Sequence, residues 1–215
     1  MGIRRPNCEV LRHEATTIEI LQIAGTFTYF TDLTENHYKA MIGLRITSQA
    51  TGAGANGQLI VTARDGTNTI IDFSGSVTVQ IEDALSVSLR STGLVGGNMS
   101  IIKDFCICCT DQGEVRRHEG TFEAENTFLF TDLTENHYKA MFVILGNGTG
   151  DTTSGTAIVT PRIGTATTIN LPPRQQAVIQ VEDAESVLFS GLRFQQEGGQ
   201  DNNIQIIKDF CISCP

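Results

Sequence analysis

"FTDLTENHYKAM" occupies Phe30 to Met41, and the same twelve residues return unchanged at Phe130 to Met141. Three further matches keep the same order along the chain. "EVLRHE" (Glu9 to Glu14) returns as "EVRRHE" (Glu114 to Glu119), and "VQIEDALSV" (Val79 to Val87) returns as "IQVEDAESV" (Ile179 to Val187). "IIKDFCICC" (Ile101 to Cys109) returns as "IIKDFCISC" (Ile206 to Cys214). In chain order the four offsets are 105, 100, 100 and 105 residues. Five residues have therefore gone from before Phe130, and an insertion near "RFQQEGGQDNN" restores them. Both are loop edits, where changes of length are tolerated. Four ordered matches mark a tandem duplication. The units run over 9–109 and 114–215, joined by a linker at 110–113 and preceded by a short N-terminal arm, 1–8.

Inside each unit the apolar residues recur with period two. "YKAMIGLRIT", "QLIVTARD", "SVTVQI", "LSVSLRS" and "MSIIKDFCIC" alternate or nearly so. Clusters such as "TGAGANG", "RDGTNT" and "LVGGN" punctuate them at intervals of about 8–12 residues. No stretch carries the caps and spacing of an amphipathic helix. The pattern predicts an all-β chain of two tandem jelly-roll-like β-sandwiches, each of roughly seven or eight strands.

Composition narrows the function. The 215 residues are 40% hydrophobic, as a globular chain requires, and carry a net charge of -9. The basic residues are scattered, which argues against a nucleic-acid surface. No apolar run approaches the roughly 18 residues needed to cross a bilayer. The start, "MGIRRPNCEV", has no apolar h-region, and Pro6 stands where a myristoylation site needs Ser or Thr. Synthesis in the cytoplasm without a signal peptide, and no membrane insertion, are expected.

Motifs for chemistry are weak. "GAGANG" (Gly52 to Gly57) matches the dinucleotide-binding spacing, but a strand pattern follows it where a helix is needed, so it reads as a hairpin loop. His13, His37, His118 and His137, with Glu14, Glu35, Glu119 and Glu135 nearby, are ligand types for a metal. "ENHYK" nonetheless reads as a polar turn. Asp32, Glu35, Asp83 and Asp183 follow no EF-hand or RTX spacing. There is no nucleophile elbow and no Cys-His signature. The duplicated carboxylates come without a cleft-forming insertion of the kind a glycosidase uses. No catalytic residue, cofactor or metal is expected, and the chain reads as a non-enzyme.

The six cysteines are Cys8 in the arm and Cys106, Cys108, Cys109, Cys211 and Cys214 at the ends of the two units. Cys106 and Cys108 stand about 6.6 Å apart on a strand with parallel Cβ vectors. Vicinal Cys108 and Cys109 are poorly placed to bridge. Three readings stay open: buried thiols in a core, a four-thiolate zinc site built from the two C-x-x-C spacings, or partners supplied from elsewhere. An arm of this length reaches at most about 25 Å, far enough to enter a neighbouring molecule.

The plan resembles the endospore-appendage (Ena) family of spore-forming bacteria. The residues that carry the likeness are "TATTINLPPRQQAVIQVEDAESVLF" followed by "IQIIKDFCISC", and in the first unit "TNTIIDFSGSVTVQIEDALSVSL" and "MSIIKDFCICC". The resemblance implies jelly-roll subunits that stack into long fibres outside the spore. It also implies a cysteine-bearing N-terminal connector that forms disulfides with cysteines on core strands of other subunits. On that basis Cys8 is the connector cysteine, Cys106, Cys109, Cys211 and Cys214 are receiving thiols, and Cys108 is a further candidate. Family subunits carry one jelly roll, whereas this chain has two.

A surface that meets the same partner in both repeats cannot drift independently. The duplicated dozen is therefore expected to be an assembly contact through Asp32, Glu35, Asn36, His37 and Tyr38, and through Asp132, Glu135, Asn136, His137 and Tyr138. The expected partner is the chain itself, with other spore-coat proteins as further candidates. Two readings compete: a tandem carbohydrate-binding module, for which a chain with no Trp and three Tyr offers few aromatic platforms, and a capsid- or coat-like protein.

Overall fold

A computed structural model of the chain describes residues 7–22, 24–35, 38–49, 56–93, 95–109, 113–124, 127–145, 155–172, 176–192 and 202–212. The first repeat supplies strands β1 (Asn7–Gln22), β2 (Gly25–Asp32), β3 (Tyr38–Gln49) and β4 (Asn56–Ala63). It continues with β5 (Asn68–Ser74), β6 (Ser76–Glu82), β7 (Ala84–Ser91) and β8 (Val95–Cys109). The second repeat supplies β9 (Glu114–Ala124), β10 (Thr127–Thr131), β11 (Tyr138–Leu145) and β12 (Thr156–Pro161). It ends with β13 (Thr167–Asn170), β14 (Ala177–Glu182), β15 (Ala184–Ser190) and β16 (Asn202–Ile212).

Both sets of eight are wound alike. In the first repeat one sheet runs β1-β8-β3-β6 and the other β5-β4-β7-β2. In the second the corresponding rows are β9-β16-β11-β14 and β10-β15-β12-β13. Two four-stranded sheets in this order make a jelly roll, so the chain has the all-β class that its period-two patterning predicts.

The repeats are fused edge to edge. β2 and β14 pair in parallel, with Val178 opposite Phe30, Ile179 opposite Thr31 and Gln180 opposite Asp32. One sheet of each repeat thereby joins an eight-stranded sheet, β5-β4-β7-β2-β14-β11-β16-β9.

Fusion changes what a strand buries. In β3, Tyr38, Ala40, Ile42 and Leu44 are buried while Lys39, Met41 and Arg45 face water. β11 has the same start, "YKAM", yet Tyr138 to Ile144 are all buried. Tyr138, Ala140, Phe142 and Ile144 face the second repeat's own core. Met141 and Val143, with Val178 and Ile207, belong instead to the core of the first repeat. Each fully buried aliphatic side chain contributes roughly 1.5–3 kcal/mol as an upper bound, so this shared face stabilises the join substantially.

Within each repeat the duplicated dozen is tied to the duplicated "EDA". Asp83 and Asp183 sit at the turn into the next strand with φ of 50° and 46°, a left-handed conformation that Asp tolerates better than most residues. Their carboxylates accept the backbone N–H of Tyr38 and Tyr138, each at 2.7 Å. Their own N–H groups donate to the carbonyls of the same tyrosines at 3.3 and 3.1 Å. The phenol hydroxyls of Tyr38 and Tyr138 donate to the carbonyls of Ala84 and Ala184.

Candidate assembly interface

The join between β2 and β14 is the feature that a self-assembling chain can copy. Its ladder continues past the strand, because Leu33 N–H donates to the Gln180 carbonyl at 2.9 Å. Glu35 N–H then donates to the Glu182 carboxylate at 3.0 Å. The first repeat thus gives the backbone of its duplicated dozen, and the second receives it on "IQVEDA". A groove of about 330 Å³ runs beside this contact, lined by Leu33, Glu35, Arg162, Glu182 and Asp183 among others.

A polar cluster closes the join from the side. His13 of β1 is fully buried, as are Gln180 of β14 and Asp209 of β16. His13 Nε2–H donates to Asp209 at 2.8 Å, and Nδ1 lies 3.1 Å from the Gln180 amide. Arg117 forks onto the two oxygens of Asp209 at 2.7 Å each and also donates to the Arg12 carbonyl at 2.7 Å. Burial alone pushes the Asp209 carboxyl up, but the Arg117 fork and His13 outweigh it and hold the group below the usual carboxylate range. Removing one member of such a cluster leaves buried polar atoms without partners.

The counterparts of these groups in the opposite repeat are more exposed. Arg12 and Asp104, which correspond to Arg117 and Asp209, form a bidentate pair at 2.7 and 2.9 Å on the open face of the first repeat. His118, the counterpart of His13, is exposed and packs edge-on against Phe210 at 4.6 Å, as His13 packs on Phe105 at 4.5 Å. Met41, the counterpart of the buried Met141, is 46% exposed.

The aspartates of the dozen have a second task. Asp32 and Asp132 accept bonds from the N–H and hydroxyl of Thr34 and Thr134, all at 2.6–2.9 Å. Asp32 also pairs with Lys103, both fully buried. Desolvation pulls the Lys103 ammonium down to about 8 against the pull of Asp32. Lys208 meets Asp132 at 2.8 Å in the same way, with 15% of its side chain exposed.

The cysteines fall differently from what the arm reading implies. Cys8 is not on a free connector: β1 starts at Asn7, Cys8 lies opposite Cys108 in the β1–β8 ladder, and the two are bonded. Adjacent strands bring their Cβ atoms within bonding reach, so the nearest thiol is in the same repeat. Cys109 is bonded to Cys211, and this disulfide crosses from the first repeat to the second. Both links are within one chain. Cys106 is exposed and unbonded, and Cys214 lies outside the described residues.

Of the other expected contact residues, Tyr38 and Tyr138 do not present their rings at the surface. They are 2% and 0% exposed and belong to the repeat cores. Asp32 and Asp132 are buried under Lys103 and Lys208. Glu35 meets the join through its backbone, Glu135 and Asn136 are exposed, and Asn36 and His37 lie outside the described residues. His137 bonds Asp183 at 2.7 Å with Glu182 at 3.5 Å; the three are close enough to share a cation, but as they stand they form an ion-pair group. His13, Gln180, Arg117 and Asp209 are contact residues that the sequence reading did not select. All four lie in segments that the duplication preserves, and that was the available signal.

No protein-family model matches the chain, and no curated protein matches it. Among solved structures it is similar to a Bacillus endospore appendage of the disulfide-linked pili, with 11% identity, a TM-score of 0.40, and coverage of 49% of this chain and 95% of that one. It is also similar to the major capsid protein P2 of bacteriophage PM2, at 10% identity and TM-score 0.28, covering 94% and 97%. Bacillus subtilis oxalate decarboxylase is similar at 9% identity and TM-score 0.26, covering 97% and 74%. Likenesses at this level are to packed β-sheets in general. No helix among the described residues is long and apolar enough to cross a membrane.

Proposed function

We propose that this chain is a structural, non-enzymatic subunit that polymerises head to tail into a fibre on the spore exterior, joined by β-augmentation and by disulfides between subunits. One observation carries the reading: the contact that joins the two repeats is built from a donor half and an acceptor half, and each repeat has both. The first repeat uses its donor half, β2 with Leu33 and Glu35, on the acceptor half of the second. That leaves an acceptor edge at β6 and a donor edge at β10, each at the end of its sheet. A heterologous contact of this kind repeats indefinitely or closes into a ring, and edge pairing supplies it without a new fold. All four duplicated segments converge on the join, which supports selection on the contact rather than on each repeat alone. What supports the spore setting is the sequence resemblance carried by "TATTINLPPRQQAVIQVEDAESVLF" and "IQIIKDFCISC".

Negative-stain microscopy of the purified protein, with and without reductant, tests the reading. Regular fibres or rings that persist in detergent until thiol is added are expected. A monodisperse single chain under all conditions, particularly one that binds glycans, would overturn it.

A further inference from the structure

The disulfide that crosses the join connects unlike positions. Cys109 has as its repeat counterpart Cys214, 105 residues on, and Cys211 has as its counterpart Cys106. A donor-side thiol at the end of one repeat is therefore bonded to an acceptor-side thiol on the closing strand of the next. The same two positions occur once more in every chain, as Cys214 and Cys106. We infer that Cys214 of one chain bonds Cys106 of the next, repeating between molecules the Cys109–Cys211 link. The inference rests on the head-to-tail reading above and adds the atoms that make it covalent.

Several observations place a second copy of the chain, rather than another partner, at Cys106. The thiol is exposed and unbonded. It lies on the face that carries exposed Met41 and the Arg12–Asp104 pair; the counterparts Met141 and Asp209 are buried at the join. The complementary half is on the same molecule: Leu133 and Leu129 are 90% and 61% exposed beside the open edge of β10, and His118 waits in the position from which His13 reaches Asp209. Cys8, the obvious competitor, is already bonded to Cys108.

The bond forms by thiol–disulfide exchange with a low-molecular-weight disulfide as oxidant. The Cys106 thiolate attacks that disulfide and expels one small thiolate. The Cys214 thiolate of the neighbouring chain then attacks the mixed disulfide and expels the second. Two protein thiols lose two protons and two electrons, and one small disulfide becomes two small thiols.

Mixing protein grown with light and heavy nitrogen, oxidising it with glutathione disulfide and digesting it unreduced tests the assignment. A Cys106–Cys214 linked peptide is expected in mixed-isotope as well as single-isotope forms. Cys106→Ser and Cys214→Ser are each expected to abolish the detergent-resistant ladder while leaving assemblies visible by microscopy. Wild-type assemblies in which Cys106 still reacts with an alkylating agent, or in which it is bonded to another cysteine or only within one isotope, overturn this pairing and leave the polymer reading standing. Absence of any assembly overturns both.

Discussion

His13 and Asp209 belong to different repeats and meet at 2.8 Å with both side chains shut off from solvent. Of their counterparts, Asp104 is held by Arg12, and His118 is exposed and packs on Phe210. His13→Ala should therefore lower the unfolding free energy of the dilute, reduced chain by about 1–3 kcal/mol, since it takes the ring partner from the buried Gln180 amide and leaves Asp209 to Arg117 alone. His118→Ala should shift it by less than about 1 kcal/mol, the worth of its contact with Phe210. Denaturant titration of the two variants checks the asymmetry. Equal losses would show that the cluster does not hold the repeats together.

Tyr38→Phe and Tyr138→Phe each remove a buried hydroxyl and leave the Ala84 or Ala184 carbonyl without its donor. Each is expected to cost about 1–3 kcal/mol in the same titration. Ultraviolet titration should find both phenols ionising above the ordinary tyrosine value, chiefly because burial opposes the charged form. Ordinary titration of either phenol would contradict its burial.

The His137–Asp183 pair gives the turn a pH dependence. The bond to Asp183 raises the His137 imidazolium above its usual value, while burial of the ring works against it. Burial pushes the Asp183 carboxyl up, but His137 and the Tyr138 N–H bring it below the usual range. A raised His contributes stability that is full below its unfolded value and is lost as pH rises through its folded one. A lowered Asp contributes stability above its unfolded value and loses it as pH falls through its folded one. The pair should thus support the fold best between these two limits. Ring-proton NMR should give His137 a midpoint above the ordinary imidazole value, and Asp183→Asn should bring it back down. A midpoint indifferent to Asp183→Asn would rule out the pairing.

The disulfide Cys109–Cys211 closes a loop across 102 residues. Replacing both cysteines by Ser should lower stability by about 2–4 kcal/mol while the strand pairing stays, as measured by calorimetry and circular dichroism. Unchanged melting would mean that the link does not constrain the unfolded chain.

Much of each repeat was legible in the sequence because strand alternation is local. "YKAMIGLR" reads directly as β3, with Tyr38 in phase with Ala40, Ile42 and Leu44, so its burial follows from parity alone; the aromatic ring invites an interface reading that the phase contradicts. The fusion of the repeats was harder, because backbone pairing between distant edges leaves no side-chain signature. A trace exists. Where the first repeat has "SVTVQI", with Ser76, Thr78 and Gln80 facing out, the second has "QAVIQV", apolar on both faces between Gln176 and Gln180. "YKAMFVIL" likewise loses the polar alternation of "YKAMIGLR". Strands apolar on both sides are covered on both sides. Cysteine pairing could not be read at all, since Cys8 meets Cys108 only once β1 is known to lie beside β8.

If the join inside the chain is the pattern for the join between chains, Gln80 stands at the open copy of that join. The Gln180 carbonyl faces β2, where it accepts the Leu33 N–H, so the backbone of its counterpart Gln80 faces the open edge of β6. Gln80→Pro removes an outward N–H and none of the bonds to β3, a substitution that sheet edges accept. Sedimentation velocity with microscopy, run beside a thermal melt, is the measurement. A folded single chain with a melting point close to wild type and no polymer is expected. Polymers indistinguishable from those of the unaltered protein would contradict it.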